Sequence, residues 1–319
     1  NQSIDQSINQ SIDNIHYSGM KTPSPKTVAV LYATTGGMGD VGKFAVALSK
    51  QQRDLGLGEP FEVRAIAVSV GGDATRTGTA TGIGSNVEPD LGISLDVQDA
   101  DVGSKTENIL NDMRDEIVAV DVAAESAETE IGELLEGVDA VVSCLGDRQV
   151  ELGTRWCALG TRKVIGAMTT KKVPRLVCLS SFGIGKDCMK PSFIKVAWGL
   201  MLRTSMRAVR RDLTAMETAV VEGSTSSGSS STSSSSSSDL DYLLVRPVGL
   251  TPSEPERGFC DRVLSKHDHG GRLHIFMSKV DAARFLLEEA LAPTLHRRGV
   301  TIGYAEAKPN PDKDKGKPP

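Results

Sequence analysis

An α/β fold built on a doubly wound parallel sheet, in a single domain with low-complexity inserts, is predicted by three features of the sequence. Short Val/Ile/Leu-rich runs alternate with helix-length segments through most of the chain. The runs are apolar at successive positions, as strands covered on both faces must be. A glycine-rich turn stands between the first strand and the first helix, where doubly wound sheets receive phosphate-bearing ligands.

The elements follow in order. Residues 27–33 are a short buried-strand run, and a helix follows at about residues 41–52. Residues 61–70 and 116–122 are the second and third strands. The stretch between them, residues 71–115, is rich in Gly, Thr and Asp and reads as an insert, with a short helix near residues 108–117. A helix at 128–135 leads to a fourth strand at 138–145, and a helix at 154–168 leads to a fifth at 175–180. The helix at 193–222 is long. Its Met206, Val209, Leu213, Met216 and Val220 recur at steps of three and four and mark one apolar face. Arg203, Arg207, Arg210 and Arg211 form a separate basic stripe, either a solvated face or an anion-facing rim. Residues 242–246 are a sixth strand and 280–291 a last helix.

Three segments lie outside this alternation. Residues 1–25 form an N-terminal tail that opens on a QSID-type tetrapeptide repeat, read as translated simple sequence with Met20 as a start. It lacks the basic and apolar regions of a signal peptide, which points to a cytoplasmic protein. Residues 224–238 are almost pure Ser and read as a loop expansion that buries nothing. Residues 306–319 are a Pro/Lys/Asp-rich tail, which leaves 26–305 as the folded domain.

Composition narrows the function. The chain has 319 residues, with 36 Lys+Arg against 41 Asp+Glu and a net charge of −5, which disfavours nucleic acid as a partner. Aromatic content of 4% leaves little for base stacking or a carbohydrate platform. No apolar run reaches the roughly 18 residues of a membrane span. The five Cys form no C-x-x-C pair, so neither a zinc site nor a disulfide framework is expected. His267, His269 and Cys260 cluster without a fourth ligand and are read as loop residues, with no metal.

The glycine turn reads Ala33-Thr-Thr-Gly-Gly-Met-Gly39-Asp-Val-Gly42-Lys43-Phe44. Glycines let the backbone turn tightly and approach a pyrophosphate, and the helix that follows offers free N–H groups and a positive dipole end. The same residues match the front of a P-loop, Gly37-x4-Gly42-Lys43, but Phe44 stands where a Mg²⁺-binding Ser or Thr is needed.

At this point the chain resembles a known family. Tyr32-Ala-Thr-Thr-Gly-Gly-Met-Gly39 is similar to the T-G-A-T-G-x-x-G loop of the short-chain dehydrogenase/reductase superfamily, with Ala33 in place of its first Gly. The segments at 135–146 and 175–185 resemble its fourth and fifth strands. Asp241-Tyr-Leu-Leu-Val-Arg-Pro-Val-Gly-Leu250 and Ser278-Lys-Val-Asp-Ala-Ala283 resemble signatures of its atypical, Rossmann-type members, which include flavin/biliverdin-IXβ reductase-like and NmrA-like proteins.

The resemblance implies a cofactor site. Thr35, Gly36, Gly37, Met38 and Gly39 would line the pyrophosphate. Asp121 and Val122 would meet the adenine, with a cap or loop carboxylate as the other reading of Asp121. Leu145 and Gly146 would meet the nicotinamide ribose, and Pro247 and Val248 the nicotinamide. The second strand ends with no acid for a ribose 2′-OH, which leans toward NADP over NAD, with Arg76 nearby. Asp40 stands where NADP-preferring relatives often carry a basic residue. Ser181 falls at the position of the family's catalytic Ser; a local backbone contact is the alternative.

The family's Tyr-x-x-x-Lys relay is missing, because no Tyr occurs between Pro191 and Glu222. Tyr17 with Lys21, and Tyr304 with Lys308, have the spacing but lie near the termini. The expected activity is NAD(P)H-dependent hydride transfer to a flavin-, quinone- or bilin-like small-molecule acceptor without that relay. The alternative is a non-catalytic NADP(H)-sensing or assembly protein.

Overall fold

The structure, a computed structural model, describes residues 26–34, 38–55, 61–69, 100–146, 156–184, 207–225, 240–251, 261–263, 273–274 and 276–304. Its central strand is β1 (Lys26–Ala33). Val28, Val30 and Tyr32 enter the core on one face of the sheet, and Ala29 and Leu31 enter the core on the other. A strand with no solvent face must be apolar at every position, and that is the pattern in the sequence.

The remaining strands flank β1. The order across the main sheet is β3 (Val118–Asp121), β2 (Phe61–Ser69), β1, β4 (Ala140–Cys144), β5 (Arg175–Leu179), β6 (Asp241–Pro247), β10 (Arg298–Gly303) and β8 (Asp261–Val263). The first seven run parallel, and β8 pairs antiparallel with β10. A separate parallel pair joins β7 (Gly249–Thr251) to β9 (Phe276–Ser278). Against one face of the main sheet lie α1 (Met38–Leu55), α2 (Ala100–Asp112) and α6 (Lys279–Leu291). On the other lie α3 (Ala127–Leu134), α4 (Trp156–Lys171) and α5 (Arg207–Thr225). This is a Rossmann-type doubly wound fold.

Carboxylates from distant elements tie the start of one helix and the start of β1. Asp212 of α5 accepts from the Cys157 and Ala158 amides, at 2.9 and 3.0 Å, and so satisfies the start of α4 from inside the fold. Asp139, just before β4, accepts from the Thr27 amide at 2.8 Å.

The structure departs from the sequence reading in several places. The helix placed near residues 108–117 begins at Ala100 and ends at Asp112, followed by a 3₁₀ turn at Arg114–Glu116. Leu110 and Met113 are buried beside α1, so this end of the 71–115 insert belongs to the core. Helix α5 runs two residues into the Ser-rich tract, where the buried Ser224 hydroxyl donates to the Val221 carbonyl at 2.7 Å. Strands β7, β8, β9 and β10 lie where the sequence reading places no strand. In β10, a Cβ on Gly299 would fall 2.6 Å from Nη1 of Arg246 on β6, so a larger residue would displace that guanidinium. Residues 193–206 of the expected long helix, both tails and residues 226–239 lie outside the described residues. No helix among the described residues is long and apolar enough to cross a membrane.

Candidate cofactor site

Strand order reverses between β1 and β4. The chain runs outward from β1 to β2 and β3, then returns to the other side of β1 with β4. The loops leaving the two strands therefore part at their carboxyl ends and open a crevice there. Helix α1 starts directly above it. A Cβ on Gly39 would lie 2.3 Å from the Ala33 carbonyl oxygen, and one on Gly42 would lie 2.5 Å from Cβ of Tyr32. Both glycines thus serve the close approach of α1 to the end of β1. Gly146, after β4, is held equally close, since its Cβ would fall 2.5 Å from Sδ of Met38. The start of α1 and the ends of β1 and β4 are therefore closely packed. Thr35, Gly36 and Gly37, assigned to the pyrophosphate from the sequence, lie outside the described residues.

Behind α1 stands a buried ionic cluster that local sequence did not reveal. Asp40 and Lys43 are each 0% exposed and Lys279, the first residue of α6, is 1% exposed. Asp40 Oδ2 is 2.6 Å from Lys279 Nζ, and Oδ1 is 3.4 Å from Lys43 Nζ. Lys43 also donates to the Thr34 carbonyl at 3.4 Å. Asp40, which stands where NADP-preferring relatives often carry a basic residue, faces α6. A Lys43 charge enclosed on Asp40 is no phosphate lysine of the P-loop kind. The signal available was a charged pair at i, i+3 inside the apolar run Val41, Phe44, Ala45, Val46.

The other assigned residues line the same strand ends. Asp121 closes a local turn, its Oδ1 accepting from the Ala123 amide at 2.9 Å. Val122 and Leu145 are buried and meet α4 at Gly160, where a Cβ would lie 2.9 Å from Leu145 Cδ1. Val248 is buried in the opposite core, and its amide donates to the Ile302 carbonyl at 3.0 Å. These three side chains therefore serve packing, and only their backbones face the strand ends. The Pro247 carbonyl accepts from the Phe182 amide at 3.0 Å, which draws the turn after β5 against the end of β6.

A family model described as NAD(P)H-binding matches residues 100–293, more than half of the chain. The chain belongs to this NAD(P)H-binding family. The match begins at α2, so the glycine turn and α1 lie before it, and the sheet order joins the two parts. No curated protein matches the chain. Among solved structures, an anaerobillin reductase from Escherichia coli O157:H7 is similar, with a TM-score of 0.51 at 17% identity over 89% of this chain and 100% of that one. A short-chain dehydrogenase/reductase from Veillonella parvula DSM 2008, in complex with NADP, gives 0.50 at 11% identity over 87% of this chain and 94% of that one. At these identities the likeness is one of fold.

In this NAD(P)H-binding chain the residues around Ser181 are tied to a second buried ionic cluster. Ser181 Oγ lies 3.4 Å from the Phe182 carbonyl, a local contact. Its neighbour Ser180 donates to Glu217 Oε1 at 2.6 Å. Glu217 also takes a two-pronged contact from Arg246, Nε to Oε1 and Nη2 to Oε2, both 2.8 Å. Sequence reasoning missed Glu217, although it falls four residues after Leu213 and three before Val220, on the apolar face of α5. The same carboxylate adds to burial in pushing the Cys178 thiol up to about 12. Of the described tyrosines, Tyr32 is in the core, and Tyr242 packs beside the α5 core. Tyr304 donates to Asp281 at 2.5 Å and accepts from the Ser278 amide at 3.1 Å. Burial raises the Asp281 carboxyl above its ordinary range, against the opposing pull of Tyr304 and Arg284.

Proposed function

We propose that the chain binds NADP(H) across the crevice at the carboxyl ends of β1 and β4 and reduces a flat conjugated acceptor of flavin, quinone or bilin type. The observation that carries this reading is the switch-point crevice, with α1 brought onto β1 by Gly39 and Gly42, in a chain of the NAD(P)H-binding family. The residues fit a dinucleotide: glycines keep side chains out of the strand–helix turn, and the one acid in the first turn of α1 is turned inward. Turning Asp40 inward removes a carboxylate that would repel a ribose 2′-phosphate. Together with the missing acid at the end of β2, that supports NADP over NAD. The NADP complex of the Veillonella parvula protein is a precedent on a similar fold.

Bound there, NADPH would supply the hydride and leave as NADP⁺. The backbones of Gly146 and Pro247 would flank its nicotinamide end, with Met38 and Gly39 at the pyrophosphate and Asp121 and Val122 at the adenine. Ser181 would orient the acceptor. No Tyr stands between Pro191 and Glu222 to relay a proton, so the proton that completes the reduction would come from water. A conjugated ring accepts a hydride on those terms. The anaerobillin reductase of similar fold supports the bilin-type choice.

The test is NADPH consumption over a panel of flavins, quinones and bilins, with cofactor binding followed in parallel by fluorescence. Turnover with one class sustains the enzyme reading. Tight NADPH binding with no turnover would replace it with a dinucleotide sensor or assembly protein.

A further inference from the structure

We infer that Glu217 and Ser180 are positioning residues for the acceptor, acting through the backbone that carries Ser181. This rests on the reading above, in which Ser181 orients the acceptor. Ser181 is half-buried just past the end of β5, whereas Ser180 before it and Phe182 after it are buried. Its backbone is held on both sides by β6. The Ser180 amide donates to the Val245 carbonyl at 2.7 Å, and the Phe182 amide donates to the Pro247 carbonyl at 3.0 Å. The Ser181 carbonyl accepts from the Ile184 amide at 3.2 Å, in a turn whose third residue, Gly183, has a φ of 87°.

Arg246 lies between the two accepting residues of β6. Its guanidinium meets both carboxylate oxygens of Glu217 on α5, and Glu217 Oε1 also accepts from the Ser180 hydroxyl at 2.6 Å. A ring thus closes from the end of β5 through α5 to β6 and back, at the level of Ser181. All three side chains in it are buried. Stability alone does not call for this arrangement, because well-packed apolar groups often serve a buried site as well as an ion pair does. What the ring adds is direction. A hydroxyl that orients a reacting molecule must be held to within about half an ångström by its supporting contacts. Ser180→Ala separates that support from the ion pair, since Glu217 Oε1 keeps its contact with Arg246 Nε at 2.8 Å.

The experiment follows single-turnover NADPH oxidation by FMN, with menadione and biliverdin as the quinone and bilin probes. It also measures binding of the same acceptor to NADP⁺-saturated protein, and binding of NADPH by itself. The proteins are wild type, Ser180→Ala, Ser181→Ala and the double variant. Ser180→Ala should slow turnover about fivefold, within the range of couplings between neighbouring groups, and leave the NADPH dissociation constant unchanged. The double variant should be no slower than Ser181→Ala, because Ser180 acts through Ser181. Acceptor affinity should fall in each single variant and no further in the double. Ser180→Thr, which keeps the hydroxyl, should recover turnover. Ser180→Cys, whose thiol is a poor donor, replaces the Ala variant if that does not fold, with the same expectation.

Wild-type turnover in Ser180→Ala, a further loss when it is added to Ser181→Ala, or a matching loss of NADPH affinity overturns the positioning role while leaving the enzyme reading intact. A wild type that binds NADPH but oxidises it with none of the three acceptors removes that reading and this inference with it.

Discussion

Two buried ionic clusters stand at the carboxyl edge of the sheet, on opposite faces, and they are built differently. Asp40, Lys43 and Lys279 join α1 to α6 with ammonium groups, compact charges on flexible stems. Glu217, Arg246 and Ser180 join α5 to β6 and the end of β5 through a planar guanidinium that meets its carboxylate with two parallel contacts. The first reaches a backbone carbonyl beside the glycine turn; the second ties a strand to a helix beneath Ser181. Under the proposed NADP(H) reading, the Arg–Glu pair would hold the fold on the acceptor side, and the lysine cluster would support the backbone on the cofactor side.

The largest expected effect breaks the second cluster. Glu217→Leu leaves the Arg246 charge buried without its carboxylate and should cost about 3–5 kcal/mol in urea denaturation. Glu217→Leu combined with Arg246→Met should recover most of that loss, since an apolar pair needs no partner. A double variant as unstable as the single one would mean that the pair contributes more than mutual neutralisation.

The cofactor side is next. Gly42→Ala places a methyl 2.5 Å from Tyr32 Cβ and 3.0 Å from Cys144 Cβ, and should cost about 1–3 kcal/mol by overpacking. Thermal denaturation with and without NADPH checks it: the shift given by NADPH should stay near that of wild type. A selective loss of the NADPH shift would assign Gly42 to the ligand rather than to packing.

Ser181→Ala should lower turnover by about tenfold, equivalent to 1–2 kcal/mol for one orienting hydroxyl. Single-turnover NADPH oxidation reads this directly. A thousandfold drop would make Ser181 a proton donor, and the same drop in Tyr242→Phe or Tyr32→Phe would reveal a relay that the Tyr-free helix argues against.

The smallest effect concerns pH. Burial, reinforced by Glu217, holds Cys178 near 12, and burial lifts Cys144 higher still. The thiolate is the reactive form, and at pH 8 burial keeps both thiols protonated. Alkylation of the native protein at pH 8 should therefore spare both thiols, with peptide mass spectrometry as the readout. Glu217→Leu removes the neighbouring negative charge and should make Cys178 react faster than it does in the wild type.

The sequence made the strand alternation and the glycine turn readable because both are local: period, apolar runs and turn residues need no knowledge of the fold. The clusters were not readable, because Asp40 and Lys279 are 239 positions apart and nothing in either neighbourhood names the other. Strand β10 was hidden for a related reason. Only Val300 and Ile302 are strongly apolar in Arg298–Gly303, and its strand character comes from pairing with β6. At the site, resemblance assigns Val122, Leu145 and Val248 to the cofactor, and the structure shows them following β3, β4 and β6 with buried side chains. Their burial depends on α4 and β10, which no local pattern could supply.

The most direct test is a crystal structure of the protein with NADPH soaked in. The pyrophosphate should lie at the turn between Thr34 and Met38, with the adenine toward Asp121 and the nicotinamide between Gly146 and Pro247. A dinucleotide bound elsewhere, or Mg·ATP in its place at the start of α1, would contradict the switch-point crevice as an NADP(H) site.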